Sequence, residues 1–520
     1  MDGRDIQIII AMCLYMAFVI GIGMYYAKRA NASSDNFLIG GRKIGPWVTA
    51  MGAEASDMSG WLLMGLPGVA YWYGLSDAFW TALGLLIGTY LNWLFVSKRL
   101  RAYSAIADDS ITIPDFFSNR FKEEKKVIAA IASLFVLVFF TVYASSCFVT
   151  VGKLFSTLFQ LKYQYMMMAG ALFVIFYTFL GGFLAESASD FMQGTVMFFA
   201  LVIVLITGVF HAGGIGGMAA NLRKIPGFLE FFGIAQPVLV GGVQQVGATG
   251  EPLFGTAGRY GLLTIISTLS WGLGYFGMPQ VLLKFMAIRK TSELTLSRRI
   301  ATIWCAISLT AAVAIGIIGR AIFPTAYLTQ SSAENIFILL SKTFFFPLLA
   351  GFVMAGILAA TISSSDSYLL IAASALSKSI YHGILRREAT DQQVLNVSRI
   401  TLLVIAVFAM VLALDEKSII FKLVSFAWAG FGATFGPIML FSLFWKRVTR
   451  SGAIAGMLTG GGMVFIWNML IRPLGGAFDI YELFPAFLLS CLAIVVVSLL
   501  SKEPSAEIQE EFELAKTFQC

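Results

Sequence analysis

The sequence predicts an all-α polytopic membrane protein with about thirteen transmembrane helices. Of its 520 residues, 58% are hydrophobic and only 12% are charged, whereas a soluble domain usually carries roughly twice that charge. Several apolar runs exceed the roughly 18 residues that mark a spanning helix. These features exclude a soluble globular fold and leave strand-based folds uncompetitive.

The apolar runs place the predicted helices along the chain. The spans run near 5–27, 46–73, 76–97, 127–157, 164–182, 188–211, 256–286, 299–322, 345–378, 394–414, 418–443, 451–471 and 479–501. A short amphipathic piece, 333–342, precedes the ninth span, and two substantial loops cover 98–126 and 211–252. The first run is followed by Lys28 and Arg29 and lacks a small-residue cleavage site, so we expect a retained helix and not a signal peptide.

The distribution of basic residues predicts the topology. With the N-terminus outside, the cytoplasmic loops and helix ends collect 25 of the 36 Lys and Arg residues, Lys284 among them. This bias follows the positive-inside rule and favours an odd number of spans, with the C-terminus in the cytoplasm. The net charge of +7 therefore has a topological explanation and does not indicate nucleic-acid binding. We expect the acidic tail, 503–513, to form a solvated cytoplasmic helix.

The second span carries the clearest functional signal. Its middle, AEASDMSGW from Ala53 to Trp61, holds Glu54 and Asp57 together with two serines and a glycine. A charge near the bilayer centre costs at least about 2.5–3.5 kcal/mol, so such residues line a cavity or pair with another group. A kinked structural helix with internally satisfied polar groups is the alternative. Opened backbone at mid-membrane favours a transport site.

A second interruption follows five spans later. The stretch SWGLGYFGMP, from Ser270 to Pro279, has three glycines and a proline in ten residues, which hardly sustain a continuous helix. Close glycine-mediated helix packing is the alternative. Two broken helices at matching positions predict an inverted-repeat transporter with halves of five spans, 2–6 and 7–11. The predicted units are 1–45, 46–212, 213–255, 256–443, 444–501 and 502–520.

Two further polar clusters lie in spans 9 and 6. Span 9 holds four serines, a threonine and an aspartate between Thr361 and Ser367. That is too many hydroxyls to be explained by bonding to the helix's own carbonyls. Hard oxygens with little net charge suit a reversibly bound monovalent cation. Span 6 opens with Glu186 and Asp190, where a carboxylate can also simply cap the helix.

No enzymatic chemistry is indicated. The sequence has no P-loop lysine motif, and its five cysteines and two histidines fit no metal-binding spacing. Transport would therefore draw on an ion gradient.

At these residues the sequence resembles the sodium:solute symporter family, in particular the members that carry proline. The matching blocks are GGR at 40–42, ASDMSGWLLMGLPG at 55–68, FTVY at 140–143, GGFLA at 181–185, WGLGYFG at 271–277, ILAA at 357–360 and AWAGFGA at 427–433. The resemblance implies the LeuT-like five-plus-five fold in spans 2–11, a bacterial cell membrane as location, and a monomer.

The resemblance also implies a site for Na⁺ and one for L-proline. Sodium would lie between spans 2 and 9, beside the carboxylate of Asp57. Its ligands would be the backbone carbonyls of Ala55, Met58 and Ala360 and the hydroxyls of Ser363 and Ser364. The substrate positions would be Ser59, Gly60, Trp61, Tyr143, Trp271, Tyr275 and Pro279. Backbone N–H groups suit a carboxylate, and aromatic rings suit a pyrrolidine ring and its ammonium.

Four residues depart from the family pattern. Glu54 and Gly52 replace small residues, Asp366 replaces a hydroxyl and Glu186 replaces an apolar residue. Asp366 and Ser367 lie one turn beyond Ser363, and in relatives with a second sodium site that turn faces an aspartate on span 6 at the position of Asp190. The resemblance therefore leads us to hypothesise a second cation site formed by Asp190, Ser363, Asp366 and Ser367. Carboxylates at that depth need a cation or a shared proton.

The predicted function is sodium-coupled import of L-proline by alternating access. The same mechanism with another small amino acid or an organic acid is the alternative within the class. A sensor or a channel in a transporter fold is the alternative outside it, although a tail of about twenty residues is short for a signalling domain.

Overall fold

The computed structural model describes residues 3–30 and 42–518, with the backbone alone for residues 23, 26–30 and 180–185. Gly40 and Gly41 of the first matching block lie outside these residues, and so do the side chains of the block at 181–185. The helices are α1 Gly3–Ala30, α2 Pro46–Asp57, α3 Leu66–Tyr73, α4 Leu75–Leu91, α5 Ser97–Ile106, α6 Ile113–Arg120, α7 Val127–Phe159, α8 Tyr163–His211, α9 Gly214–Leu222 and α10 Leu262–Leu269. They continue with α11 Pro279–Ala287, α12 Leu294–Ile322, α13 Gln330–Ala333, α14 Ile336–Phe344, α15 Pro347–Ser374, α16 Asp391–Leu412, α17 Ile420–Phe444, α18 Arg450–Ile466, α19 Leu483–Leu500 and α20 Ala506–Thr517.

The described part of the chain contains ten helices that are long and apolar enough to cross a membrane. Two shorter apolar helices, Tyr163–Phe179 and Leu262–Gly277, occupy the predicted spans 5 and 7. The interrupted segment Pro46–Tyr73, formed by α2 and α3, occupies the predicted second span and is too broken to count as one long helix. The all-helical membrane fold is therefore confirmed, while the number thirteen stays a prediction.

Helix α8 contains a reversal of the chain. Tyr177 donates a hydrogen bond of 2.7 Å from its hydroxyl to Oγ of Ser189, twelve residues later. In a straight helix these residues would lie about 18 Å apart, because each residue adds about 1.5 Å. The chain therefore doubles back between them, and 163–179 and 186–211 form two antiparallel arms, as the sequence predicts for spans 5 and 6.

Short strands occur between residues 233 and 259, mostly within the predicted loop 211–252. The antiparallel pairs are β1 Gly233–Ile234 with β4 Gly258–Arg259, and β2 Leu239–Val240 with β3 Val243–Gln244. Gly241 and Gly242 connect β2 to β3 with φ of +59° and +82°, the left-handed region that glycine adopts at no steric cost. Each strand is two residues long and lies outside the spans, so strand-based folds remain excluded as the fold class.

A buried ion pair between Lys153 and Glu334, here called the ionic cluster, lies at the end of the bundle that carries residues 212–260. Nζ of Lys153, on α7, lies 2.6 Å from Oε2 of Glu334. The Glu334 carboxylate also accepts the backbone N–H groups of Ile420 and Phe421 at 3.0 Å. A Cβ on Gly68 of α3 would lie 2.9 Å from the Glu334 Cα. The backbone at Glu334 therefore packs directly on α3, the second half of the broken helix.

The C-terminal helix α20 packs on the opposite end of the bundle. Phe512 is buried, and its ring lies 5.3 Å from the guanidinium carbon of Arg99 and 5.4 Å from that of Arg120. Lys122 forms an ion pair with Glu511, and that hydrogen bond raises the pKa of Lys122. The predicted helix is present, but the prediction that it is fully solvated is wrong, because Phe512 is buried against the bundle. The acidic composition of the tail gave no sign of this one buried ring.

Candidate binding site between the interrupted helices

The first interruption falls at Met58–Gly60. Helix α2 ends where the Met58 N–H bonds to the Glu54 carbonyl at 2.8 Å and Met58 turns to ψ +73°. Helical structure resumes as a π-turn at Trp61–Gly65, which leads into α3. Gly60 is required by packing, since a Cβ there would lie 2.3 Å from Oγ1 of Thr150 on α7. The predicted opening of span 2 is thus present.

The second interruption is a tight helix followed by an extended residue. Residues Ser270–Gly277 form a 3₁₀-helix, Met278 is extended, and α11 restarts at Pro279. Proline suits the first helical position, where no N–H partner is needed. The backbones of two spans touch here, because a Cβ on Gly88 would lie 2.3 Å from the carbonyl oxygen of Gly272.

The carboxylate of Asp57 joins the two interruptions. Oδ2 accepts a hydrogen bond of 2.9 Å from the Tyr275 hydroxyl, and Oδ1 accepts one of 3.1 Å from Nε2 of Gln280. All three side chains are buried. Gln280 was not among the predicted site residues. Its position directly after Pro279, in the first turn of α11, was the available signal.

The oxygens predicted to bind sodium lie together. The Ala55 carbonyl oxygen accepts the Ser363 hydroxyl at 2.7 Å and the Ser364 hydroxyl at 3.3 Å. The Ser363 hydroxyl also lies 3.3 Å from the carbonyl oxygen of Ala360. Met58 follows one residue after Asp57 at the break itself. The carboxylate of Asp57 points instead to the second interruption.

This donor set suits a sodium ion. Carbonyl and hydroxyl oxygens are hard ligands without net charge. The hydroxyl protons of Ser363 and Ser364, which now face Ala55, can rotate away and expose lone pairs to a cation.

The residues predicted for the substrate lie at the two interruptions and on α7. Trp61 and Trp271 are stacked with centroids 6.5 Å apart, and the Tyr143 hydroxyl donates to the Asp57 carbonyl at 3.3 Å. The buried hydroxyl of Ser59 has no hydrogen-bond partner within the described residues. Gly60, Tyr275 and Pro279 complete the predicted set and are buried.

A second residue that was not predicted, besides Gln280, is Trp428. Trp428, in the matching block on α17, donates from its indole to the Trp271 carbonyl at 2.8 Å. Its ring stands edge-on to that of Tyr275 at 4.9 Å. It therefore holds the second interruption in position.

Of the residues in the hypothesised second cation site, Asp190 contacts a lysine ammonium, whereas the Ser363 hydroxyl bonds to the Ala55 carbonyl. Nζ of Lys284 lies 2.9 Å from Oε1 of Glu186 and 3.0 Å from Oδ2 of Asp190. The Ser367 hydroxyl donates to the same Glu186 oxygen, and Asp366 accepts the Ser367 N–H at 2.8 Å. Lys284 is only 1% exposed, so counting it among the cytoplasmic loop charges is wrong. The second cation site itself stays a prediction.

Two interrupted helices that meet at a polar site within a membrane-spanning bundle are typical of secondary transporters. Comparison with solved structures identifies the fold. The fold matches a Na⁺-coupled sialic acid symporter with a TM-score of 0.75 and 18% identity, covering 96% of this chain and 99% of that one. It matches Mhp1, a nucleobase-cation-symport-1 family transporter, with a TM-score of 0.53 and 11% identity, covering 93% and 100%. The predicted LeuT-like fold is confirmed.

The sodium:solute symporter family model matches residues 37–460, and the chain belongs to this family. The osmoregulated proline transporter OpuE of Bacillus subtilis is 41% identical over 502 residues, 96% of each chain. The sodium/proline symporter of Staphylococcus aureus (strain USA300 / TCH1516) is 39% identical over 511 residues, 97% of this chain and 95% of that one. The chain is therefore a membrane transporter and not an enzyme.

Proposed function

We propose that this protein couples the inward movement of sodium to the import of L-proline across the bacterial cell membrane. The observation that carries the proposal is the junction of three spans at Ala55–Asp57. The Ala55 carbonyl meets the hydroxyls of span 9, and the Asp57 carboxylate meets Tyr275 of span 7. Relatives of about 40% identity named as proline transporters support the same substrate.

Sodium would bind among the carbonyls of Ala55, Met58 and Ala360 and the hydroxyls of Ser363 and Ser364. Bound there, it holds span 2 against span 9 while the outer entrance is open. Asp57 acts beside the ion as a positioning residue, since its side chain holds α11 and the 3₁₀ segment. Sodium thereby fixes the geometry in which the substrate site is complete.

The substrate site would lie between the two interruptions. The N–H groups of Gly60 and Trp61, where helical structure resumes after the break, would offer donors for the proline carboxylate. The faces of Trp61, Trp271 and Tyr143 suit the pyrrolidine ring and its secondary ammonium. Substrate binding then closes the outer entrance, and coupling is reciprocal, because each ligand raises the affinity of the other by the same factor.

Topology follows from the basic residues. The N-terminus lies outside and the C-terminus inside, which places the segment 212–260 and Glu334 on the outer face. We expect the monomer to be the transporting unit.

Counterflow of labelled proline into sodium-loaded and choline-loaded vesicles tests the function. Sodium-dependent counterflow that is lost in Asp57→Ala, with normal membrane insertion of the variant, is the expected result. Flux that ignores sodium would instead indicate a channel, and no flux at all would indicate a sensor. A competition panel of small amino acids and organic acids then decides the substrate.

A further inference from the structure

The buried ammonium of Lys284 lies where several spans meet. Lys284, on α11, donates to Glu186 and Asp190 at 2.9 and 3.0 Å and to Oγ of Ser187 at 3.3 Å. The two carboxylates lie on the second arm of α8, one turn apart. This lysine takes no part in the sodium and substrate sites proposed above.

Two further helices close around this ammonium. Ser367, on α15, donates its hydroxyl to the Glu186 oxygen that Lys284 also contacts. On α2, a Cβ at Gly52 would lie 3.5 Å from both Nζ and Cε of Lys284, so the first half of the broken helix lies against the ammonium. Spans 2, 6, 7 and 9 therefore converge on one positive charge.

The surroundings of Nζ have the chemistry of a cation site. Carboxylate and hydroxyl oxygens are hard ligands that suit a monovalent cation, and each offers more lone pairs than the ammonium uses. Oε2 of Glu186 and Oδ1 of Asp190 are buried without a hydrogen-bond partner within the described part of the chain. Two carboxylates thus share one ammonium, with Asp366 buried beside Ser367.

We propose that the Lys284 ammonium is a tethered cation that occupies a second cation site and keeps a second sodium ion out of it. The inference rests on the proposed function, since it concerns how many sodium ions the transporter binds. With the lysine in place, only the site at Ala55, Ser363 and Ser364 takes sodium. Without the ammonium, the buried carboxylates of Glu186 and Asp190 recruit a second ion, because buried carboxylates need a compensating charge.

The test counts bound ²²Na⁺ per purified full-length protein by a scintillation proximity assay at saturating sodium. We expect one ion for the wild type and for Lys284→Arg, which keeps the charge. We expect two ions for Lys284→Met, and one again for Lys284→Met combined with Asp190→Asn, which removes a ligand of the new site.

Two sodium ions in the wild type, or one in a folded Lys284→Met, would overturn the proposal. Size-exclusion chromatography establishes whether each variant is folded. If Lys284→Met does not fold, the number of sodium ions bound by the wild type still tests the proposal, because two bound ions would contradict a site filled by lysine. A wild type that binds no sodium and shows no sodium-dependent proline uptake contradicts the proposed function instead, so the two failures are distinguishable.

Discussion

The Tyr275 hydroxyl donates a 2.9 Å hydrogen bond to the carboxylate of Asp57, and this contact links the two interrupted helices. Gln280 donates to the other oxygen of the same carboxylate. Neither residue is close to Asp57 in sequence, so the contact exists only when spans 2 and 7 are packed together. A change of geometry at one break therefore acts directly on the other.

Removing this hydroxyl should weaken sodium coupling. Tyr275→Phe leaves the Asp57 carboxylate with Gln280 alone, and a hydrogen bond to a charged group contributes about 1.5–3 kcal/mol. We expect the sodium concentration for half-maximal proline uptake to rise about tenfold or more. Tyr71→Phe is the matched control, because that hydroxyl bonds to the Phe323 carbonyl instead. Equal half-saturation in Tyr275→Phe and wild type would contradict the role given to this contact.

Span 9 offers two neighbouring serines with different partners. The Ser363 hydroxyl crosses to the Ala55 carbonyl, whereas the Ser365 hydroxyl bonds to the Thr361 carbonyl of its own helix. Ser363→Ala should therefore lower sodium affinity by at least about tenfold, through loss of a ligand and of an interhelical bond. Ser365→Ala should leave it nearly unchanged. Equilibrium ²²Na⁺ binding measures both, and an equal loss in the two variants would show that the helix and not the site is affected.

The close approach of Gly88 to Gly272 should make span 3 intolerant of a methyl group. A Cβ on Gly88 would meet backbone atoms at 2.3 and 2.4 Å, which cannot yield as a side-chain end can. We expect Gly88→Ala to destabilise the protein by about 1–3 kcal/mol and to lower its Tm in detergent. Gly462→Ala, which has open space around it, should match or slightly exceed the wild-type Tm. A wild-type Tm in Gly88→Ala would disprove the contact.

The anchor of the C-terminal helix can be tested separately. Phe512 is 2% exposed and Leu514 is 51% exposed, although both lie on α20. Truncating a buried phenylalanine costs about 3–5 kcal/mol, so Phe512→Ala should release the helix. Limited proteolysis should then cleave the tail faster than in wild type or in Leu514→Ala. Identical cleavage in both variants would argue against docking.

The sequence predicts both interruptions because glycine, serine and proline weaken helices locally. The hydroxyls of Ser363 and Ser364 are likewise visible as a polar cluster that no apolar helix needs. Both signals are local, and the structure places these elements together. Both features could therefore be predicted without knowing which distant residues pack against them.

The features that sequence reasoning missed all depend on tertiary contacts. Lys284 looks like a flanking positive charge, since nothing near it in sequence shows that Glu186 and Asp190 pack against it. The side-chain direction of Asp57 depends on Tyr275, more than two hundred residues away. Phe512 sits in an acidic tail, where one buried ring does not alter the overall pattern.

The ionic cluster at Glu334 offers a means of inhibition that avoids both ligand sites. Phe421 donates its N–H to Glu334, and its ring centroid lies 5.2 Å from that of Trp271. The ionic cluster is therefore linked through one residue to the site between the interrupted helices. An antibody fragment that clamps residues 330–344 onto the start of α17 would block entry of substrate from that side. Such a blocker would be non-competitive, because neither added sodium nor added proline could displace it.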